Sequence, residues 1–346
     1  MADSDDITDL VQEFMAVTGA EDVTAMRYLQ QSNWDVESAV NAFLDSNVSK
    51  GRHGGKGNPI TISDDGDNVS PSEDGSFKGA TPAEETNQNF TVLSWNIDGL
   101  DERNILERTR TVCSVINSKK PDVVFLQEIV QQTLPIFQSK CPGYFCRYGP
   151  TRFYFNIILL KMSSIKTTGD LQCTHFQSSK MGRHLLCQPV LFKNKIALTL
   201  MTSHLESTAE CKAERVRQLE QVLKSMAEQA ANATAIFGGD TNLRDKELSA
   251  FGGLPSGVVD AWEESGRPAD AQYTWDARLN NNLGLPYPNK PRKRFDRFFV
   301  RSAQGQNALK ANQFMLVGME RLPGCRRFPS DHWGILCQFS PPINQL

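Results

Sequence analysis

From Phe90 onward, short apolar runs recur at close intervals, and several stop on a polar residue that a strand interior would not choose. The runs Phe90–Trp95, Asp122–Leu126, Asn156–Leu160, Leu185–Phe192, Ile196–Thr202, Thr234–Phe237, Phe295–Val300 and Gly334–Phe339 read as strands, being rich in β-branched and aromatic residues. Two longer segments, Glu102–Asn117 and Glu210–Ala230, repeat apolar residues at helical spacing (Ile105, Val112 and Ile116; Leu219, Val222 and Met226). Two sheets with helices outside accommodate this pattern, because each sheet then buries one face against the other and one against a helix.

The polar strand ends carry the chemistry. Ile236-Phe237-Gly238-Gly239-Asp240-Thr241-Asn242-Leu243 reads as a buried strand running into two glycines, a carboxylate and an amide. Extended backbone would point Asp240 and Asn242 at one spot, and the glycines would allow a tight turn and close approach of a ligand. Taken alone, the same residues make an ordinary turn. Other runs close in the same manner, on Asn96, on Glu128 and on His204, while Phe295-Asp296-Arg297 and Ser330-Asp331-His332-Trp333 complete the set. Oxygen donors with histidine select a hard dication such as Mg²⁺ over zinc, and such a set suits phosphoester hydrolysis. The chain has no glycine-rich nucleotide cradle ending in Gly-Lys-Ser/Thr, which weighs against transfer from a nucleoside triphosphate.

Charge divides the chain at the same place as texture. Residues 1–89 hold 17 acidic against 5 basic side chains, and residues 90–346 hold 23 against 32. Lys290, Arg292, Lys293, Arg294, Arg297 and Arg301 form a basic cluster of the kind that attracts nucleic acid, or that is merely a solvated surface. The eight cysteines form no Cys-x-x-Cys pair and read as buried reduced thiols inside a cell. No apolar run approaches the length of a bilayer span, so no membrane partner is expected.

Residues 1–47 place Ile7, Leu10, Val11, Phe14 and Met15, and later Trp34, Val40 and Phe43, at helical spacing, as in a three-helix module. The Asn33-Trp34-Asp35 start with Ala39 and Phe43 resembles the third helix of a ubiquitin-associated domain, which implies ubiquitin as a partner. Residues 48–88 are rich in Gly, Ser, Asp, Asn and Pro and read as a disordered acidic linker. They would make the module a tethered recruiter rather than part of the active site. Within the linker, Pro59-Ile60-Thr61-Ile62-Ser63-Asp64-Asp65 resembles a SUMO-interacting motif: a β-branched run able to add to a sheet edge, followed by acids.

The order Asn96, Glu128, His204, Asp240-x-Asn242, Asp296, Asp331-His332 resembles the endonuclease/exonuclease/phosphatase superfamily. Ser94–Leu100, Phe125–Glu128, Thr202–Thr208, Gly239–Asp245, Tyr273–Asp276, Arg294–Arg297 and Phe328–Gly334 resemble, within it, the tyrosyl-DNA phosphodiesterases. The resemblance implies an α+β, four-layered αββα sandwich of the DNase I type over 89–346, preceded by the helical module. It implies a Mg²⁺-dependent phosphodiesterase (Mn²⁺ able to substitute) that frees 5′ DNA ends from tyrosine or topoisomerase II remnants, in the nucleus and partly the cytoplasm. Carried over residue by residue, Glu128 holds the metal with Asp240 beside it, and Asp240 also orients and deprotonates the attacking water. Asn96 and Asn242 hold water and phosphate oxygens, His332 stabilises charge with Asp296 fixing its tautomer, and His204 touches the phosphate. Trp275, Ser207, Tyr154, Leu283, Phe295 and Arg294 fall at substrate-binding positions. The family commonly has an arginine where this chain has Ala209, and Arg278, Arg292 or Arg294 are the candidates to replace it.

Other readings keep parts of this pattern. A deadenylase or a sphingomyelinase would retain the metal and histidine positions behind a different substrate wall. An adaptor for ubiquitin or SUMO would carry the same fold with an inert site. Thr274-Trp275-Asp276 and the basic cluster favour a DNA end, and the intact series from Asn96 to His332 argues against inertness.

Overall fold

The computed structural model describes residues 4–20, 24–25, 28–29, 32, 34–36, 39–40, 42–43, 89–151, 154–285 and 290–341. The expected linker at 48–88, with the Ile60–Asp65 motif inside it, lies outside the described residues.

Two sheets form the body. The first runs in the order β14 (Lys310–Val317), β15 (Gly334–Ser340), β1 (Phe90–Asn96), β2 (Val123–Ile129), β4 (Phe155–Lys161) and β3 (Tyr144–Tyr148). The second runs β10 (Val258–Asp260), β13 (Asp296–Arg301), β9 (Thr234–Asp240), β8 (Ile196–Thr202), β7 (His184–Phe192) and β5 (Ile165–Thr167), with β6 (Gln172–His175) also on β7. The strand period of two sorts the apolar residues into three cores. Val92, Phe125, Ile158, Leu198, Leu200, Ile236 and Phe298 meet between the sheets. Their chain neighbours Leu93, Trp95, Val124 and Leu126 pack outward against Val112, Cys113 and Ile116 of helix α2 (Ile105–Lys119) and Phe137 of helix α3 (Leu134–Lys140). On the opposite face Met201, Phe237 and Phe299 pack against Leu219, Val222 and Met226 of helix α4 (Lys212–Ala227). The layers are therefore helix, sheet, sheet, helix.

Helix α1 (Ser4–Thr18) precedes this body. Its Leu10 and Phe14 form a small core with Ala25, Leu29 and Ala39, against which Tyr28, Trp34 and Phe43 pack.

The eight expected strands are present, with ends shifted by one to three residues, as are both long helices. Sequence reading passed over β3, β5, β6, β10, β14 and the two-residue pair β11 (Trp275–Asp276) and β12 (Arg292–Lys293). Strands β3 and β14 are sheet edges whose residues are largely exposed or half-buried, so the apolar signal used to find the inner strands is weak there.

The glycines need a correction. Gly238 and Gly239 do not turn the chain; they lie inside β9, which continues to Asp240. A Cβ at Gly239 would stand 2.0 Å from the Ser203 carbonyl oxygen, and one at Gly238 would stand 2.4 Å from the Phe298 ring. Their absent side chains let protein, rather than ligand, approach. The contact matters because β8 and β9 are parallel, and Ser203 leads directly into His204. Gly239→Ala should therefore lower the Tm of the full chain by roughly 5–10 °C, from the usual overpacking cost and its thermal equivalent. Gly143→Ala, whose Cβ would meet nothing within 4 Å, should leave the Tm nearly unchanged. Calorimetry on both variants checks the pair.

Candidate active site

The polar ends of the inner strands come together at one rim of the sandwich. Asn96 ends β1, Asp240 ends β9, and Asp296 opens β13 directly opposite Asp240 in the ladder. Glu128 lies in β2 at φ 59°, where the register with β4 shifts between Leu126 and Ile129. That irregularity re-aims a side chain that regular alternation would send elsewhere. Asp98 (φ 52°), Thr208 (φ 62°) and Asn242 (φ 51°) also sit in the left-handed region. Such strain persists where surroundings over-determine it, and it clusters at functional sites.

Hydrogen bonds join these residues into one network. Asn96 Nδ2 donates to Glu128 Oε1 at 2.7 Å and to Asp240 Oδ2 at 3.0 Å. The Asn242 backbone N–H donates to Asp240 Oδ1 at 3.0 Å. Asn242 thus reaches the site from a left-handed turn beyond β9, not through the extended i, i+2 geometry expected of it. His332 Nδ1–H donates to Asp296 Oδ2 at 2.8 Å, and its Nε2 faces Asp240 Oδ2 at 3.8 Å. The His332 backbone is fixed from both sides: its N–H donates to Ser330 Oγ, and its carbonyl accepts from the Trp95 indole at 3.0 Å.

The other histidine is set by an arginine that sequence reading missed. Arg183 Nη1 lies 3.0 Å from His204 Nδ1, and Nη2 donates to Ser207 Oγ at 3.0 Å. A guanidinium only donates, so Nδ1 of His204 is an acceptor and the ring proton is on Nε2, 3.3 Å from Asp240 Oδ2. Burial and the positive charges of Arg183 and His332 hold His204 well below the usual histidine range, so it is neutral. His332 goes the other way. Burial opposes its charge, yet the carboxylates of Asp296, Asp331 and Asp240 outweigh it and hold the imidazole well above the usual range. Two histidines on one wall thus have opposite states at neutral pH.

The carboxylates are crowded. Burial, with the charge of Asp331 adding to it, pushes Glu128 up to about 7, and burial together with Asp331 drives Asp98 well above the usual carboxylate range. Asp240 is raised by burial despite its cationic neighbour His332. A hard dication is what such a donor set would welcome, and its charge would reverse these shifts. Asp240, Asp296 and His332 offer ligand atoms within 4.8 Å of one another, but a hydrogen-bonded, cationic histidine makes that trio a relay rather than a cage. Glu128 is the better ligand, with Asp240 adjoining.

A cavity of 530 Å³ opens onto this network, lined by Glu128, Tyr154, Ser207, Trp275, Leu283 and Phe295 together with His204, Asp240, Asn242 and His332. Trp275 is largely buried, its indole N–H donating to Asp331 Oδ2 at 2.9 Å, so it also holds the loop that carries His332. Arg294 does not reach the cavity wall. Its guanidinium donates to Asp260 Oδ2 at 2.6 Å and lies 4.5 Å over the Trp262 ring. Arg297 and Arg301 are likewise turned inward, to Asp260 and Asp245 and to carbonyls after α4. Of the basic cluster, Lys290 and Lys293 line the cavity. Of the candidates to stand in for the arginine absent at Ala209, Arg292 is paired to Asp276 and Arg278 donates to the Lys290 carbonyl. Among the described residues, the arginines that line the cavity are Arg183 and Arg244. No local signal singles out Arg183 in the sequence: it stands between a loop glycine and an ordinary strand, and only folding sets it against His204.

The chain matches the Endonuclease/Exonuclease/phosphatase family over residues 93–332 and a UBA-like domain over residues 8–49. It is 40% identical over 336 residues to tyrosyl-DNA phosphodiesterase 2 of Homo sapiens, spanning 95% of this chain and 91% of that protein. The crystal structure of D. rerio TDP2 complexed with single strand DNA product superposes with a TM-score of 0.70 at 40% identity, covering 74% of this chain and all of that one. TDP2 from C. elegans superposes with a TM-score of 0.66 at 27% identity, covering 99% and 95%. Network, fold and similarity agree: the chain belongs to the endonuclease/exonuclease/phosphatase family and, within it, to the tyrosyl-DNA phosphodiesterase 2 enzymes.

Proposed function

We propose that this enzyme hydrolyses the phosphodiester between a tyrosine and the 5′ end of DNA, leaving a 5′-phosphate, with Mg²⁺ as its cofactor. The observation that carries this reading is the Asp296–His332 pair facing Asp240 across 3.8 Å, with Glu128 and Asn96 on the other side of the same carboxylate. Asp240, held by Asn96 and the Asn242 backbone N–H and facing His332, is placed to accept the proton of the attacking water. Asn242 and Asn96 position water and phosphate oxygens. The cationic His332 meets charge developing on phosphorus oxygens, and neutral His204 offers its Nε2–H to the same group. Glu128 would hold the Mg²⁺ (Mn²⁺ able to substitute), which neutralises phosphate charge when bound. A phenol leaves readily, its pKa being near ~10, so the site needs no strong general acid.

The wall suits a nucleic-acid end better than a lipid. Trp275, Phe295 and Tyr154 present ring surface, and Lys290 and Lys293 add positive charge beside it. In this reading the substrates are 5′ ends carrying tyrosine or topoisomerase II remnants, in the nucleus and partly the cytoplasm. Residues 1–47 bind ubiquitin, residues 48–88 are the linker before the catalytic domain at 89–346, and Ile60–Asp65 binds SUMO. Titration of ubiquitin into the full chain, and of SUMO into a chain with Ile60 and Ile62 replaced, tests the last two roles.

With Mg²⁺ the full chain should release tyrosine from a 5′-phosphotyrosyl oligonucleotide and stop with excess chelator; equal turnover in chelator would sink the metal assignment. Asp240→Asn and His332→Ala should each lower kcat on the order of a hundredfold or more. Replacing Lys290 and Lys293 together by Ala should flatten the salt dependence of KM while sparing kcat, because each phosphate contact adds a counterion-release term. Faster turnover of poly(A) or sphingomyelin than of the phosphotyrosyl oligonucleotide would give the same site to a different hydrolase.

A further inference from the structure

The cavity wall is completed by α1. Gln12, Glu13, Ala16 and Val17 line the same cavity as His204, Asp240 and His332. At 3.6 residues per turn these four occupy the face of α1 opposite Leu10, Val11, Phe14 and Met15, which pack into the helical module's own core. The helix thus has two buried sides: one apolar, turned to its module, and one small and polar, turned to the active site.

Glu13 makes the second contact specific. It is nine-tenths buried, and its Oε2 finds no hydrogen-bond partner among the described residues. Burial pushes its carboxyl up to about 8, while Arg183 draws it down and Glu210 and Glu206 oppose it. A surface helix of a freely tethered module would not bury an acid in this way, because an unpaired buried carboxyl is costly. Arg183, whose guanidinium is joined to His204 and Ser207, lines the same cavity as Glu13. Just past the helix, Gly19 stands beside the loop after β1, where a Cβ would make an ordinary contact with the Glu102 backbone nitrogen at 3.8 Å.

We propose that α1 is an intramolecular cover on the DNA-end cavity, with the Glu13 side chain filling space on the same wall as Arg183 that a substrate phosphate would take, so that DNA must displace the helix before it can bind. This rests on the cavity being the DNA-end site. It also changes the role of residues 1–47, which composition alone made a recruiter held apart from the chemistry.

Ala16→Leu and Ala16→Phe in the full chain test the cover. Both enlarge the cavity-facing side of α1, leave Leu10 and Phe14 untouched, and add no charge that could itself bind DNA. KM for a 5′-phosphotyrosyl oligonucleotide should fall, roughly tenfold for the larger residue, with kcat unchanged. The Kd of a 5′-phosphorylated single strand in chelator, which needs no turnover, should fall in step. Amide exchange across residues 98–102 and 180–184 without DNA should quicken in the same order, and this reading holds even if the enzyme proves to act on a different substrate. Unchanged exchange in both variants would overturn the cover. So would quickened exchange with unchanged Kd and KM, since α1 would then rest on the site without gating it.

Discussion

Five carboxylates, those of Asp98, Glu128, Asp240, Asp296 and Asp331, are held within one buried region, and most of the local structure exists to make that tolerable. Isolated buried anions would each cost several kcal/mol. Here His332 is cationic between Asp296 and Asp240, Asn96 donates to two carboxylates at once, and the Trp275 indole donates to Asp331. Arg108 lies against Asp98 at 3.4 Å while also donating to the Ile97 and Pro329 carbonyls. A site under such compression is poised to accept a dication and a phosphate, because positive charge relieves the repulsion and a metal-bound phosphate then meets fixed donors.

That compression depends on close packing around β9. Within its own sheet Gly239 lies against the Ser203 carbonyl and Gly238 against Phe298, and Gly238 also meets Phe125 of the facing sheet, contacts that a Cβ would forbid. The strand ends can then present His204, Asp240 and Asp296 to one point. Asp98, Glu128, Thr208 and Asn242 lie on the cavity wall in left-handed backbone, as do Asn104, Lys120 and Asn194 at turns away from it. The three cores beneath the rim are apolar.

Arginine shows how little charge composition says about a binding face. The cluster at 290–301 promised a polyanion surface, but three of its guanidinium groups are spent on Asp260, Asp245 and carbonyl oxygens inside the fold. Among the described residues it is Arg183 and Arg244, far apart in the chain and in no basic run, that line the cavity. A guanidinium with five donors in a fixed fork serves as structural glue as readily as it binds phosphate. Only its neighbours decide which.

The amino-acid sequence by itself determined the layered sandwich and named many of the residues that line the candidate site. Period-two alternation with apolar residues on both faces, as in Val92-Leu93 and Ile236-Phe237, demands burial on two sides, and helices with one apolar stripe supply the outer layers. Asn96, His204 and Asp240 were legible as a set: each alone reads as an ordinary strand end or turn, but several apolar runs closing on oxygen donors and histidine suit phosphoester hydrolysis. Tertiary structure alone decided the rest. Glycines that looked like a turn are strand residues made necessary by a carbonyl from another strand. Arg183 fixes the tautomer of His204 across a sequence separation that no local pattern encodes. The opposite charge states of His204 and His332 come from neighbours gathered by folding. Residues 1–47 read as a tethered module apart from the active site, and the fold sets Gln12, Glu13, Ala16 and Val17 on the cavity wall. Burial and electrostatic environment are properties of what surrounds a residue in space, and a one-dimensional pattern fixes only what surrounds it along the chain.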